Sequence, residues 1–250
     1  MTAKTSIEWT QMTWNPTTGC DRVSPGCDHC YALTMAARLK AAGAKAYQND
    51  GDPRTSGPGF GLTLHPERLN DPLKWRDPRV VFVNSMSDLF HAKVPFEFVE
   101  QVWATMAKTP QHTYQILTKR PDRMARFSHR LPLLPNVWLG TSVEDQQRAT
   151  RIGDLSMAQA VIKFVSAEPL LGPLNLNPYM PAIDWLIAGG ESGPGARPAE
   201  LAWFHSLQAQ CEGAGVAFFL KQLGGHPDKR GHEKAVLDGE RWTQMPEVAA

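Results

Sequence analysis

Three of the chain's four cysteines fall within eleven residues, in Gly19-Cys-Asp-Arg-Val-Ser-Pro-Gly-Cys-Asp-His-Cys-Tyr-Ala, with the spacing Cys20-x6-Cys27-x2-Cys30. Proline and glycine bend this stretch so that three sulfurs can converge, and Ala32-Leu-Thr-Met-Ala-Ala-Arg-Leu begins a helix directly after it. A structural zinc wants four ligands and usually a second Cys or His pair, which is missing here, so zinc would need a histidine or Cys211 to complete it. An iron-sulfur cluster held by three cysteines would keep one iron open to a substrate or cofactor. Free structural or redox thiols are the third reading. Three clustered thiols favour the open cluster.

A second set of chemical groups lies just after short apolar runs. Asp88 follows Val80–Val83 through Asn84-Ser-Met-Ser, Lys119 and Arg120 follow Thr113–Leu117, and Glu144 and Asp145 follow the run ending at Gly140. Glu168 follows Ile162–Val165, Glu191 follows Trp185–Gly190, and Lys221 ends Val216–Leu220. One charge after a strand is ordinarily a solvated loop or a helix cap. Six on one rim of a parallel barrel, where active sites are built, are a binding constellation.

The elements that must position these groups are legible as a pattern. The runs just named, with Leu62-Thr-Leu and a possible first strand near Glu8 to Trp14, make eight continuous apolar segments, as parallel strands buried on both faces require. Phe96, Val99, Val102, Trp103 and Met106 recur at helical spacing between them, as do Leu201, Phe204, Leu207 and Cys211. The expectation is an α/β chain, one parallel β/α barrel domain over residues 1–250, either TIM-like or partial, with a doubly wound open sheet as the alternative. Residues 43–61, rich in turn formers, read as a mobile loop or lid. Cys211 on its helical stripe reads as a buried core thiol, with hydrogen donor or fourth metal ligand as lesser roles.

Charge narrows the function classes. With 26 Lys plus Arg against 25 Asp plus Glu, the net charge is +1, so a uniformly basic coat protein is excluded and any contact with nucleic acid must use a local patch. No apolar run is long enough to span a bilayer and the first residues lack a signal core, which places the protein in the cytoplasm, with no membrane partner. That reducing compartment also argues for metal binding over disulfides.

The cysteine loop, on a β/α barrel, resembles the radical S-adenosylmethionine (SAM) superfamily. The usual spacing there is C-x3-C-x2-C with a ring residue before the last cysteine; here the first gap is six and the ring residue is His29. The wider motifs Asn84-Ser-Met-Ser-Asp-Leu-Phe-His, Leu117-Thr-Lys-Arg-Pro, Gly140-Thr-Ser-Val-Glu-Asp, Ser166-Ala-Glu-Pro-Leu and Gly189-Gly-Glu-Ser-Gly resemble a radical-SAM-like family of phage and prophage proteins, over nearly the whole chain. The layout is similar to spore photoproduct lyase. The resemblance implies a [4Fe-4S] cluster on Cys20, Cys27 and Cys30, SAM on the fourth iron, a 5′-deoxyadenosyl radical, and an electron donor such as flavodoxin or ferredoxin. Gly189-Gly190-Glu191 resembles the superfamily's Gly-Gly-Glu motif, which meets the amino group of SAM; substrate contact and a simple turn remain alternatives. Lys119 would meet the SAM carboxylate and Ser85 or Ser87 the ribose, with Asp88, Glu144, Glu168 and Lys221 completing the cofactor set.

The substrate has one further pointer. Lys119, Arg120, Arg123, Arg126 and Arg130 put five cations into twelve residues against Asp122, and on a helix Arg123, Arg126 and Arg130 would share a face. That is a phosphate-contacting stripe for DNA or RNA, or else a solvated face or a site for an acidic protein. Trp9 and Trp14 are candidates to stack a base. His29 reads as a packing residue of the cluster loop, and His91, His112 and His205 as structural or surface histidines. Base modification or repair is the resulting expectation. A non-catalytic zinc-stabilised nucleic-acid-binding module and a metal-free barrel hydrolase using Glu144, Glu168 or Glu191 are its rivals.

Overall fold

The computed structural model describes residues 3–247. Ten strands form in chain order: β1 (Ala3–Lys4), β2 (Met12–Trp14), β3 (Thr17–Thr18), β4 (Thr63–Leu64), β5 (Val80–Val83), β6 (Thr113–Thr118), β7 (Val137–Ser142), β8 (Ile162–Ala167), β9 (Trp185–Gly189) and β10 (Ala217–Gln222). Five α-helices accompany them: α1 (Tyr31–Ala41), α2 (Phe96–Ala107), α3 (Pro121–Ser128), α4 (Arg151–Ser156) and α5 (Leu201–Ala214). The main sheet runs β1-β2-β5-β6-β7-β8-β9-β10, parallel throughout except for β1, which pairs antiparallel with β2. Spatial order follows chain order with no reversal, so the sheet has no switch point and right-handed crossovers put the helices on one face. The doubly wound alternative is thereby excluded. Among the described residues β1 and β10 do not pair, so the seven parallel strands curl into an open, partial β/α barrel.

Two strand assignments differ from expectation. Leu62-Thr-Leu supplies β4, which pairs with β3 in a separate two-stranded sheet under the cysteine loop. The first barrel strand is only Met12–Trp14, because Glu8 to Thr10 are taken up by a turn closed by Thr10 N–H on the Ile7 carbonyl. A closed eight-strand TIM barrel therefore lacks a strand. Chain ends seal the seam instead: Glu8 accepts bonds from the His232 backbone (2.9 Å) and from Arg241 (3.0 Å), and Thr243 and Gly231 bridge antiparallel to β10. The bridges along β10 cover ladder groups at that edge of the sheet.

Alternation along the strands builds two cores. Val81, Val83, Tyr114, Ile116, Leu139, Val165, Leu186 and Phe218 pack with α2 to α5 in the larger cluster. The residues between them, Phe82, Trp138, Phe164, Trp185, Ile187 and Phe219, fill the concave face with Trp9. Continued two residues beyond Leu117, the inward series reaches Lys119, and beyond Phe164 it reaches Ser166 and Glu168. The inner face thus changes from aromatic to polar at the strands' C-terminal ends. Helix α2 buries Val99, Val102, Trp103 and Met106 as its spacing requires, and α5 buries Phe204, Leu207 and Cys211, whereas Leu201 is exposed. No helix among the described residues is long and apolar enough to cross a membrane.

Candidate metal and cofactor site

The segment from β3 to α1 crosses the mouth of the partial barrel. Gly19 N–H bonds the Met86 carbonyl (3.0 Å), Cys20 N–H that of Phe60 (3.3 Å), Cys27 N–H that of Ser24 (2.9 Å) and Cys30 N–H that of Cys27 (3.3 Å). Cys20, Cys27 and Cys30 are free thiols, and all three line one cleft with Ser85, Ser87, Asp88, Lys119 and Arg120. Burial, with Asp88 adding to it, pushes the Cys20 thiol up to about 12, against the pull of Arg120. Burial raises Cys30 as well. Such thiols ionise only when a cation or metal takes the thiolate.

Four strand-end groups hold this loop, and that is their observed role. The Arg120 guanidinium lies 2.8 Å from Asp88 Oδ2, donates to the Asp21 carbonyl at 3.1 Å and reaches Cys20 Sγ at 3.6 Å. His91 Nε2 sits 2.9 Å from Asp21 Oδ2. Glu144, fully buried, accepts from Gly26 N–H (3.4 Å) and Arg151 (2.9 Å). Glu191 accepts from the Arg197 backbone and Nε (both 2.9 Å) and from Nη2, while His29 Nδ1 stands at 2.9 Å; the same Arg197 donates to the Pro25 carbonyl. Burial works against the Glu191 charge, but Arg197 and His29 outweigh it and bring the carboxyl down to about 2. Burial also opposes the Glu144 charge, and Lys119 and Arg151 overcome it.

These contacts correct several expectations. Glu191 is already paired within the protein, Oε2 with the Arg197 backbone, Arg197 Nε and His29 and Oε1 with Arg197 Nη2, and its glycines make room for the protein itself. A Cβ on Gly190 would stand 2.3 Å from the Leu223 carbonyl oxygen, and one on Gly189 would stand 2.5 Å from Glu168 Oε1. Ser87 donates to the Gly19 carbonyl (2.6 Å), and Ser85 bonds Asn15 (3.2 Å) while its carbonyl accepts from Tyr31, so both serines fasten the loop. Asp88 and Glu144 are likewise committed to Arg120 and Arg151. As acid-base groups for a hydrolase, Glu144 and Glu191 are held as charged partners of Arg151 and Arg197.

The groups not spent on the loop lie in an adjoining lobe lined by Lys119, Ser142, Ser166, Glu168, Ser192 and Lys221, over Phe82 and Leu117. Cys30, Tyr31 and Lys119 border both lobes. Glu168 Oε1 is 2.7 Å from Lys221 Nζ, and Ser166 donates to Oε2 at 3.2 Å. Among the described residues the Lys119 ammonium has no carboxylate within ion-pair distance.

The basic stripe does not form as a unit. Arg120 precedes α3 and turns into the cleft, Arg123 donates to the Val94 carbonyl and lies over Phe127, and Arg130 lies over Phe96. Arg126 and Arg130 are exposed, Arg126 beside Asp122. Trp14 donates to the Arg68 carbonyl (2.9 Å) in the core and Trp9 packs edge-on against Phe82, so neither is available to stack a base. Residues 43–61 are no lid over the mouth: Tyr47 and Phe60 pack with α1, and Thr55 and Ser56 bond Asp21. His112 is buried beside Tyr114, and His205 is exposed near Asp238. Arg197, Arg151 and Asn15 were not singled out from sequence; Arg197 is the one cation in the loop after β9.

The donor set, three free thiols lining one cleft, is of the kind that iron-sulfur clusters take. Among the described residues no three His, Cys, Asp or Glu converge tightly enough to hold a single ion, and Cys211 is buried in α5 away from the cleft.

Fold and site together define an open, partial β/α barrel with a cysteine loop across its mouth. The chain belongs to the family described as "Protein of unknown function (DUF5131)", which matches residues 4–246. No curated protein matches it. Among solved structures it is similar to a double mutant of spore photoproduct lyase with bound AdoMet and dinucleoside spore photoproduct, at TM-score 0.50 and 11% identity, over 94% of this chain and 63% of that one. A single mutant of the same enzyme gives the same values. The chain thus spans less than two thirds of those structures, and the likeness is one of fold.

Proposed function

We propose that the chain is a radical SAM enzyme that modifies or repairs a nucleic-acid base. The observation that carries this is the convergence of Cys20, Cys27 and Cys30 on one cleft at the C-terminal ends of the parallel strands, beside a lobe with unsaturated polar groups. In this reading the three cysteines ligate a [4Fe-4S] cluster. Lys119 binds the carboxylate of SAM, and Glu168, oriented by Lys221 and Ser166, binds its ammonium, since a carboxylate and an ammonium pair by charge-assisted hydrogen bonds. Cluster and SAM, when bound, supply one-electron chemistry ending in hydrogen abstraction. The chain's own groups place the two and exclude water: Phe82 and Leu117 floor the lobe, and Glu191 with Arg197 pins the loop above it. A fold neighbour carrying AdoMet and a dinucleoside photoproduct supports the nucleic-acid substrate. An electron donor such as flavodoxin or ferredoxin follows from the same chemistry.

Iron, sulfide and zinc analysis of anaerobically reconstituted protein tests the site. About four iron and four sulfide per chain with a brown chromophore, lost in Cys27→Ala, is the expected result. Full retention in Cys27→Ala, or stoichiometric zinc in place of iron, overturns it. Release of 5′-deoxyadenosine from SAM, accelerated by added DNA or RNA, tests the reaction, and a rate indifferent to both overturns the substrate.

A further inference from the structure

Arg120 stands apart from the other cations of its segment because its donors are turned inward. Its guanidinium spans a carboxylate, a carbonyl and a thiol: Asp88 Oδ2 at 2.8 Å, the Asp21 oxygen at 3.1 Å and Cys20 Sγ at 3.6 Å. Arg120 and Asp88 are 13% and 7% exposed, so the pair is shielded from water. Asp88 is itself immobilised, accepting from Thr118 Oγ1 (2.7 Å), Phe90 N–H (2.9 Å) and Lys119 N–H (3.2 Å). The ends of β5 and β6 therefore fix the carboxylate, which fixes the guanidinium, which faces the first cysteine. Among the described residues no other side chain donates to a thiol of the loop.

We propose that Arg120, held by Asp88, positions Cys20 and raises the reduction potential of the cluster that Cys20 ligates. This rests on the reading of the cysteine loop given above. Two features carry it. First, a six-residue gap between Cys20 and Cys27 leaves the first cysteine on a long arm, and the bond from Arg120 to the Asp21 carbonyl is the clamp at that arm's base. Second, a cationic donor on a ligand sulfur favours whichever cluster state carries more negative charge. Reduction adds one electron and no proton need move, so the attraction grows on reduction and the potential rises. Hydrogen bonds to cluster sulfurs and the partners that orient ligands act in this way generally. Asp88, an anion in the same shielded place, acts in the opposite sense.

Redox titration of the reconstituted protein, followed by visible absorption and electron paramagnetic resonance, tests the proposal with wild type, Arg120→Gln, Arg120→Lys and Asp88→Asn. In Arg120→Gln the reduction equilibrium constant should fall about tenfold, ~59 mV more negative for a one-electron couple. Arg120→Lys, which keeps the charge, should recover at least half of that shift. Asp88→Asn should move the potential the other way. A wild-type protein that takes up no cluster overturns the reading of the site and this inference with it. A wild-type cluster with unshifted potentials in all three variants overturns this inference alone. Loss of iron in Arg120→Gln with an unshifted Asp88→Asn makes Arg120 a structural clamp and overturns the tuning.

Discussion

Glu191 offers a prediction that needs no cofactor. The carboxylate is 5% exposed and takes both forks and the backbone N–H of Arg197, while Arg197 also holds the Pro25 carbonyl and so ties the cysteine loop to the end of β9. Bringing the carboxyl from its ordinary value of 4.5 to about 2 favours the folded, charged form by roughly 3 kcal/mol at 1.36 kcal/mol per pK unit. Arg197 is 32% exposed, so water screens part of this and about 2 kcal/mol is the working figure. Glu191→Gln keeps the shape, removes the charge and turns an amide N–H toward a guanidinium. The expected loss is about 2 to 3 kcal/mol by urea denaturation at pH 7, and a Tm lower by roughly 4 to 12 °C for a chain of this size. The pH dependence has a definite sign. A depressed carboxyl contributes stability that is complete above its unfolded pKa, near 4.5, and is lost as pH falls toward about 2. The gap between wild type and variant should be flat from pH 7 to about 5.5 and shrink below about 4.5. A gap under about 0.5 kcal/mol at pH 7, or one that widens in acid, refutes the staple.

Two further outcomes follow from other parts of the fold. Gly190→Ala should cost about 2 kcal/mol or more, because its Cβ meets the backbone of Leu223 at 2.3 Å, whereas Gly189→Ala meets only the Glu168 side chain and should melt within about 1 kcal/mol of wild type. Equal melting of the two variants would contradict this, and on the proposed cofactor reading Gly189→Ala should also weaken SAM binding in equilibrium dialysis. Burial lowers the pKa of His65, His91 and His112, so folding favours their neutral forms. Their contribution is complete above the unfolded pKa near 6.5 and fades as pH falls through it, so urea midpoints should decline from pH 7 to 5; midpoints that rise over that range would be incompatible with it.

The barrel was legible in sequence because its strands are buried on both faces and read as apolar runs. Its closure was not. Leu62-Thr-Leu has the composition of a core strand, yet Thr63 and Leu64 are half-buried partners of Thr17 and Thr18, and only pairing decides that. Cys211 was legible as a core thiol because a helical stripe states its own burial. Strand-end charges were legible by place and not by role, since a carboxylate is free or paired according to a cation elsewhere: Arg197 six residues after Glu191, Arg151 seven after Glu144, Arg120 far from Asp88. Arg120 was misread for a local reason. It precedes Pro121 at the helix cap with φ −126° and ψ 58°, off the helical path, and Arg130 lies beyond the end of α3, so the five cations do not make one stripe.

The charges at the mouth leave a remainder that matches the proposed chemistry. Asp88, Glu144 and Glu191 are each neutralised by an arginine, and Glu168 by Lys221. Lys119 is left over, half-buried where the two lobes meet beside Cys30. Attraction at longer range to Glu144 and Cys30 acts on its ammonium, but among the described residues no anion pairs with it directly. Three thiolates and a ligand carboxylate are the anions that would. On this reading Lys119 and Arg120 divide the task by position, the first facing both lobes and the second fixed on Cys20. The cleft is then an anion-binding mouth assembled around a loop whose own anchors have already consumed the other charges.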